Sequence, residues 1–460
     1  MSYTSPAYFV LAAVLFAFYY VIPKRYRYLD LLAGSAMFYY LVSGGNLLLI
    51  GFFLLTVLFA FVMGIMIEQN GKQRTFLHIA GWTVLLAPLL VNRTRDFLLH
   101  GAWNSWILPV GISFYTMQLC AYLSDIAHGK IKAQRSFLRF LLFASFFPQI
   151  IQGPIPRYEQ LAAQLEEGHD FDERTAEKGF CLILWGAFLK FMIADHAAVV
   201  VNAVFDHYAE YTGRYVWLAA VLYSIQLYAD FLSCTTISQG VSLLFGIRLS
   251  GNFDHPYFSV SIRDFWRRWH ISLSSWLRDY VYIPLGGSRK GNIRKYANLC
   301  LTFLVSGLWH GGAVQYLAWG LYHAFLQIMG SLVPKGITAK VPRVLQIIKT
   351  DLLVMAGWII FRAQGLRASL TMLKGLFQRS YSLNWTMLGT DGYDMTVLLI
   401  SVIILFAVSF LQGKESISDR LLRQNIVIRW TACISLIFVI VIFGAYGSGF
   451  NASDFIYGGF

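Results

Sequence analysis

The stretch Leu301–Met329, LTFLVSGLWHGGAVQYLAWGLYHAFLQIM, holds no Asp, Glu, Lys or Arg, and it carries the tetrad Leu308-Trp309-His310-Gly311 well inside it. A histidine at membrane depth is costly and marks a functional position by default. Immediately upstream, residues 263–296 are dense in Arg, Lys and aromatic side chains. A charged surface segment thus feeds directly into a buried histidine, a juxtaposition that points to chemistry carried out inside a membrane.

The composition agrees. The chain is 57% hydrophobic, 17% aromatic and only 13% charged, against about 25% charged for an ordinary soluble domain, so it cannot cover itself with a polar surface. Long apolar segments recur at residues 8–21, 29–41, 47–67, 77–91, 106–123, 137–151, 180–204, 216–231, 297–329, 344–361, 395–411 and 426–443. Several are shorter than the ~20 residues an upright crossing needs, and 297–329 is longer, so broken or re-entrant helices are expected. The fold class is all-α polytopic integral membrane protein, with about ten to twelve crossings plus interfacial and re-entrant helices, in one domain over residues 1–460. The first segment lacks a basic n-region and a small-residue cleavage site and is expected to be a retained helix.

Basic residues orient the chain. Lys24-Arg25-Tyr26-Arg27, Lys72-Gln73-Arg74 and the 130–139 loop each follow an odd-numbered segment, which places the N-terminus outside; Asn92-Arg93-Thr94-Arg95 runs against this pattern. Lys414, Arg420, Arg423 and Arg429 precede the last segment and put the C-terminus outside as well. The net charge of +13 is spread over such loops; no basic domain or tail is present, which excludes a nucleic-acid partner.

Cys120, Cys181, Cys234, Cys300 and Cys433 sit singly among apolar residues, indicating neither a disulfide framework nor a zinc site. Nucleophile-elbow, Walker, dinucleotide-binding and zincin motifs are absent, and no metal is expected. The acidic cluster at residues 166–173 reads as a solvated loop. No transporter-type internal repeat is evident.

If Arg263 to Tyr282 is one helix, Trp266, Trp269, Leu273, Trp276, Leu277 and Tyr280 share a face, and Arg263, Arg267, His270, Ser274 and Arg278 share another. One reading is an amphipathic anchor in the lipid bilayer, with Trp and Tyr at headgroup level. The sharper one is that the Arg face holds a phosphate-bearing donor, such as coenzyme A or a phosphopantetheine arm, at a tunnel mouth, because Arg contacts phosphate bidentately. The two are compatible. Pro284, Gly286 and Gly287 then break the helix, and as a phosphate cradle that loop is a weak signal.

Four runs carry a resemblance. They are Asn252-Phe253-Asp254-His255-Pro256-Tyr257, Asp264-Phe265-Trp266-Arg267-Arg268-Trp269-His270-Ile271-Ser272-Leu273-Ser274, Trp276-Leu277-Arg278-Asp279-Tyr280-Val281-Tyr282-Ile283-Pro284-Leu285-Gly286-Gly287 and Ser306-Gly307-Leu308-Trp309-His310-Gly311. In this order they resemble the membrane-bound O-acyltransferase family, in its bacterial alginate O-acetylation-like branch. Leu108 to Tyr115, Phe147 to Ile155, Trp358-Ile359-Ile360-Phe361-Arg362-Ala363 and the terminal Phe455-Ile456-Tyr457 are similar to that branch too. One departure is that Leu232-Ser233 and Thr236 stand where the branch carries Ser-Gly and a second Asp after Asp230-Phe231.

The resemblance implies a helical membrane fold thinned around a tunnel, with the family's invariant histidine at His310 and a second retained position at His270. The chemistry of the residues agrees independently: burial disfavours the imidazolium, so His310 is expected to be neutral and able to accept the proton of an attacking hydroxyl, a role worth ~10²–10⁴ in rate. His270 is expected to support it, Arg263, Arg267 and Arg278 to bind donor, and Trp309, Asp230, Asp279 and Ser306 to line or brace the tunnel. Asp230 should pair with a basic or hydroxyl group. With no serine or cysteine placed persuasively beside His310, direct transfer is expected.

The implied reaction moves an acetyl or other acyl group from a cytoplasmic thioester such as acetyl-CoA, with no bound cofactor, across a bacterial plasma membrane to a cell-surface polysaccharide or peptidoglycan. An extracytoplasmic acetyltransferase-like partner protein often completes the transfer. The alternatives are D-alanyl transfer to teichoic acid from an acyl carrier protein and, from another class, a non-catalytic transporter or channel.

Overall fold

The computed structural model describes residues 2–98, 108–334, 336, 340–380, 382–412 and 416–446. Lys414, the Phe455-Ile456-Tyr457 run and the start of the 106–123 apolar segment lie outside them. The described residues form helices and connecting turns without strands. Among the described residues, seven helices are long and apolar enough to cross a membrane: Leu47–Gln69, Arg74–Thr94, Glu173–Asp206, Arg214–Leu244, Arg343–Arg362, Gly392–Leu411 and Ile426–Phe443. A shorter apolar helix, Pro6–Tyr19, begins with Pro at its first position, and the Ser5 hydroxyl accepts from the Tyr8 N–H, so the first turn is capped by the residues best suited to it.

The chain divides into two units, residues 1–186 with 234–251, and residues 187–233 with 252–460. In the first unit, the buried Arg27 guanidinium donates to the carbonyls of Ile22, Tyr20 and His169. The acidic loop is tied to basic side chains there, through Lys24–Asp170 at 2.5 Å and Arg139–Glu166 at 2.7 Å.

The second unit holds the motifs. The uncharged run that opens the chain's reading is a helical hairpin, Asn292–His310 and Val314–Leu332, turning at residues 311–313. Its arms touch at backbone distance. A Cβ on Gly307 would stand 2.3 Å from the Tyr316 carbonyl oxygen, and one on Gly320 would stand 2.3 Å from that of Phe303. Glycine at these two positions lets the arms pack closely enough for dispersion forces to act along their length.

The expectation of one helix over residues 263–282 is corrected. The segment is Ile262–Arg268, then Ile271–Leu277, then a wide turn Arg278–Tyr282 with five-residue hydrogen bonding. The break falls at His270, whose φ of 44° is left-handed, a conformation that costs a non-glycine residue about 1–3 kcal/mol and needs support from outside. Asn252 provides it: its carbonyl accepts from the Ile271 N–H at 2.9 Å and its side-chain oxygen from the Ser272 N–H at 3.0 Å. A wheel drawn through the whole segment therefore misplaces His270.

Candidate active site

A cavity of about 530 Å³ opens in the second unit. Its rim carries Arg263, Arg267, Arg278 and Lys295, with Ser274, Ser288 and Tyr282 among them, and its inner wall is Trp266, Thr302, Phe303 and Ser306. Three of the arginines picked out by sequence thus share one space, and Lys295 joins them from the hairpin. The Arg267 and Arg278 side chains are 75% and 63% exposed, so this is the wet end. Arg267 is braced by Asp264 at 3.2 Å, and Arg278 by Asp279 at 2.8 Å. Asp279 is therefore the carboxylate that holds Arg278 and raises the pKa of its guanidinium further.

In the loop of residues 283–291 the amides of Ile283, Leu285, Gly286, Gly287 and Arg289 donate to carbonyls of the chain itself. Its Leu285 and Gly287 carbonyls point to the Asn298 amide, which donates to them at 3.2 and 3.0 Å.

Ser306 marks the inner end of the cavity, and His310 follows one turn deeper on the same helix, about 6 Å on at 1.5 Å per residue. His310 is 3% exposed. Its ring lies among Trp309, Trp319 and Phe361, at centroid distances of 4.8, 5.2 and 5.1 Å. As the last residue of its helix it sits where the unpaired carbonyl ends favour the positive charge a proton acceptor acquires.

His270 is 1% exposed, packed edge-on against Phe231 at 4.6 Å, and Trp309 stands 5.9 Å from it. Trp309 thus touches both imidazoles. Burial, with the nearby charge of His310 second, holds the His270 pKa well below its ordinary value. His270 remains neutral at working pH and faces His310, not the arginine rim.

Asp230 is buried with Lys190, whose ammonium stands 2.9 Å from both Asp230 and Asp195. Its partner lies on neighbouring membrane-spanning chain, not on the cavity. Sequence reasoning passed over Lys190 although a lone cation inside the apolar 180–204 segment was the available signal. It also passed over His323. That residue is fully buried, and its Nδ1 accepts from the Trp266 indole N–H at 3.3 Å.

Two buried histidines, reached along one helix from a cationic cavity in an apolar bundle, form an arrangement suited to group transfer inside a membrane. The family model for membrane-bound O-acyltransferases matches residues 128–372, and the chain belongs to that family. It is 33% identical over 402 residues to a probable alginate O-acetylase of Pseudomonas fluorescens, covering 86% of this chain and 79% of that protein. A peptidoglycan O-acetyltransferase of Helicobacter pylori is 32% identical over 391 residues, 76% of this chain and 70% of that protein. A teichoic acid D-alanyltransferase of Bacillus subtilis is 30% identical over 280 residues, 58% of this chain and 70% of that protein. The protein is therefore a multi-pass membrane acyltransferase, which sets the channel alternative aside.

Proposed function

We propose that the chain takes an acetyl group from a cytoplasmic thioester and delivers it to a hydroxyl of a cell-surface polysaccharide or peptidoglycan, in a bacterial plasma membrane with both termini outside. The observation that carries this is the line from the cationic rim to His310. Arg263, Arg267, Arg278 and Lys295 suit the phosphates of coenzyme A or of a phosphopantetheine arm, and the inner wall leads a thioester toward the buried histidine. The acceptor hydroxyl gives its proton to His310 as its oxygen attacks the thioester carbon. The C–S bond then breaks, and the leaving thiolate takes that proton back. No group on the enzyme is acylated in this direct route. His270 supports His310 as a neutral neighbour, with Trp309 fixing both rings.

The acetyl group and the polymer acceptor are supported by the names of the relatives at 33% and 32% identity. An extracytoplasmic partner completing the transfer belongs to the same reading. D-alanyl transfer is the second reading, supported by the Bacillus subtilis relative.

The test is base-labile ester on the surface polymers of a host expressing wild type or His310→Ala at equal membrane abundance, with the released acid identified by mass spectrometry. Acetate lost in the variant supports acetyl transfer, lost D-alanine selects the second reading, and unchanged ester overturns both. Arg267→Ala and Arg278→Ala should raise the donor concentration needed for half-maximal rate, and an unmoved donor dependence in both would remove the rim from donor binding.

A further inference from the structure

Donor and acceptor have to approach His310 from different ends. Lys295 on the cavity rim and His310 lie on one helix, about 22 Å apart along its axis at 1.5 Å per residue. Beyond His310 the chain turns at residues 311–313 and runs back antiparallel. A thioester held at the rim fills the first approach, so a hydroxyl must use the turn end.

A polar cluster stands at that end among the described residues. Phe361 packs on the His310 ring at 5.1 Å and on Tyr316 at 5.2 Å. The next residue, Arg362, ends the Arg343–Arg362 helix and donates through Nη2 to Asn202 Oδ1 at 2.9 Å and to Asp206 Oδ1 at 3.1 Å. Gln364 Nε2 reaches the same carboxylate oxygen at 3.4 Å, and the guanidinium lies over the Phe205 ring at 5.7 Å. The side chains of Arg362 and Asp206 are 25% and 40% exposed, open to an incoming molecule. Behind them the Tyr223 ring packs on Phe205 at 5.4 Å. The Tyr223 hydroxyl, 1% exposed and within electrostatic reach of Arg362 and Tyr316, has no hydrogen-bond partner among the described residues.

We propose that Arg362, Asp206, Asn202 and Gln364 form the acceptor subsite and take neighbouring hydroxyls of a sugar, presenting one of them to His310; this rests on the reading that a hydroxyl attacks there. A sugar hydroxyl donates and accepts at once, so it is matched by planar donors set beside planar acceptors. Guanidinium and amide N–H groups supply the first; the carboxylate and the Asn202 oxygen, each with lone pairs to spare, supply the second. The charge of Arg362 is balanced by Asp206, which favours a polyol over a phosphate or a carboxylate, ligands that draw uncompensated cations. The cationic rim at the other end of the helix is the contrast.

The experiment uses the purified full chain in detergent with acetyl-CoA as donor. An N-acetylglucosamine tetramer and a mannose tetramer, both uncharged, serve as acceptor probes. Arg362→Lys keeps the charge and loses the fork, and Gln364→Ala leaves the ion pair in place. Both should raise the acceptor KM, the first by tenfold or more, with the donor KM moving less than twofold. Donor and acceptor KM rising together in both variants indicates a structural role and overturns the proposal. So does a sugar KM unchanged in both, including the case in which only an added partner protein serves as acceptor. If wild type hydrolyses acetyl-CoA in a His310-dependent way yet acylates neither sugar, the subsite fails while the donor-side reading stands; if it does neither, both fail.

Discussion

The indole N–H of Trp266 donates to Nδ1 of His323 at 3.3 Å, fixing a ring that lines the inner wall of the cavity and packs on Trp319 of the aromatic cluster around His310. Trp319 completes that cluster, standing 5.6 Å from Trp266 and 5.2 Å from both His310 and His323. With Nδ1 accepting, the proton of His323 sits on Nε2, which faces Gly357 so closely that a Cβ there would lie 2.7 Å away. His323 is a positioning residue for the cavity wall.

His323→Phe should keep the shape and leave the Trp266 indole N–H unsatisfied in a half-buried site, at a cost of about 1 kcal/mol. The donor KM should rise several-fold while the dependence on acceptor stays close to wild type. Trp266→Phe in the same chain removes the orphaned donor, so the double variant should be less impaired than the two single losses combined. Donor kinetics on the four proteins of the cycle provide the measurement, and additive losses would show that the hydrogen bond carries no coupling.

Much of this site was legible in sequence because its signals are local. The uncharged run around His310 and the arginines at residues 263, 267 and 278 stand out against their neighbours, and helix period alone brings Arg263 and Arg267 to one side. What stayed hidden depends on contacts distant in the chain. His270 leaves the arginine face because Asn252, 18 positions earlier, captures the amides that follow it. Lys295 joins the rim only because the chain folds back after Gly286 and Gly287. His323 looked like one more residue of an apolar helix, since nothing in its own segment announces Trp266. The 297–329 run exceeds a single crossing because it is two helices, and Gly307 and Gly320 were the readable sign of their close approach.

Lys190 pairs with two buried carboxylates at once, Asp195 and Asp230, each at 2.9 Å. Removing the cation takes a counter-charge from both carboxylates, whereas removing one carboxylate leaves a simple pair. Lys190→Met should therefore destabilise by about 3–5 kcal/mol, the usual result of breaking a buried ion pair, and lower membrane abundance. Asp230→Asn should cost clearly less. Thermal denaturation of the detergent-solubilised variants ranks them, and equal losses would contradict the shared-cation account.

Gly320→Ala places a methyl group 2.3 Å from the Phe303 carbonyl oxygen, a backbone atom that cannot swing aside. The hairpin arms must then separate, moving His310 relative to Trp319 on the opposite arm, whose ring stands 5.2 Å from it. Overpacking of this kind costs about 1–3 kcal/mol, and the rate should fall by more than the stability does, because misplacing a reacting group by an ångström can cost a hundredfold. Gly330→Ala, on the same arm with open space around it, is the control and should match wild type in both melting temperature and rate.

His270 gives a pH dependence with a definite sign. Its folded pKa is held well below 6.5, by burial first and by His310 second, while in the unfolded chain it returns to about 6.5. Below pH 6.5 the unfolded chain binds a proton that the folded chain excludes. The stability it contributes is therefore complete above that value and lost as the pH falls. Between pH 7.5 and 5.5 the loss is about 1.4 kcal/mol for one such group. His270→Asn removes the titrating ring and keeps a residue tolerant of the left-handed backbone, so its melting temperature should fall less steeply over that range than that of wild type. Parallel melting curves for the two proteins would mean that His270 takes up its proton while folded, and the neutral neighbour assigned to His310 would be lost with it.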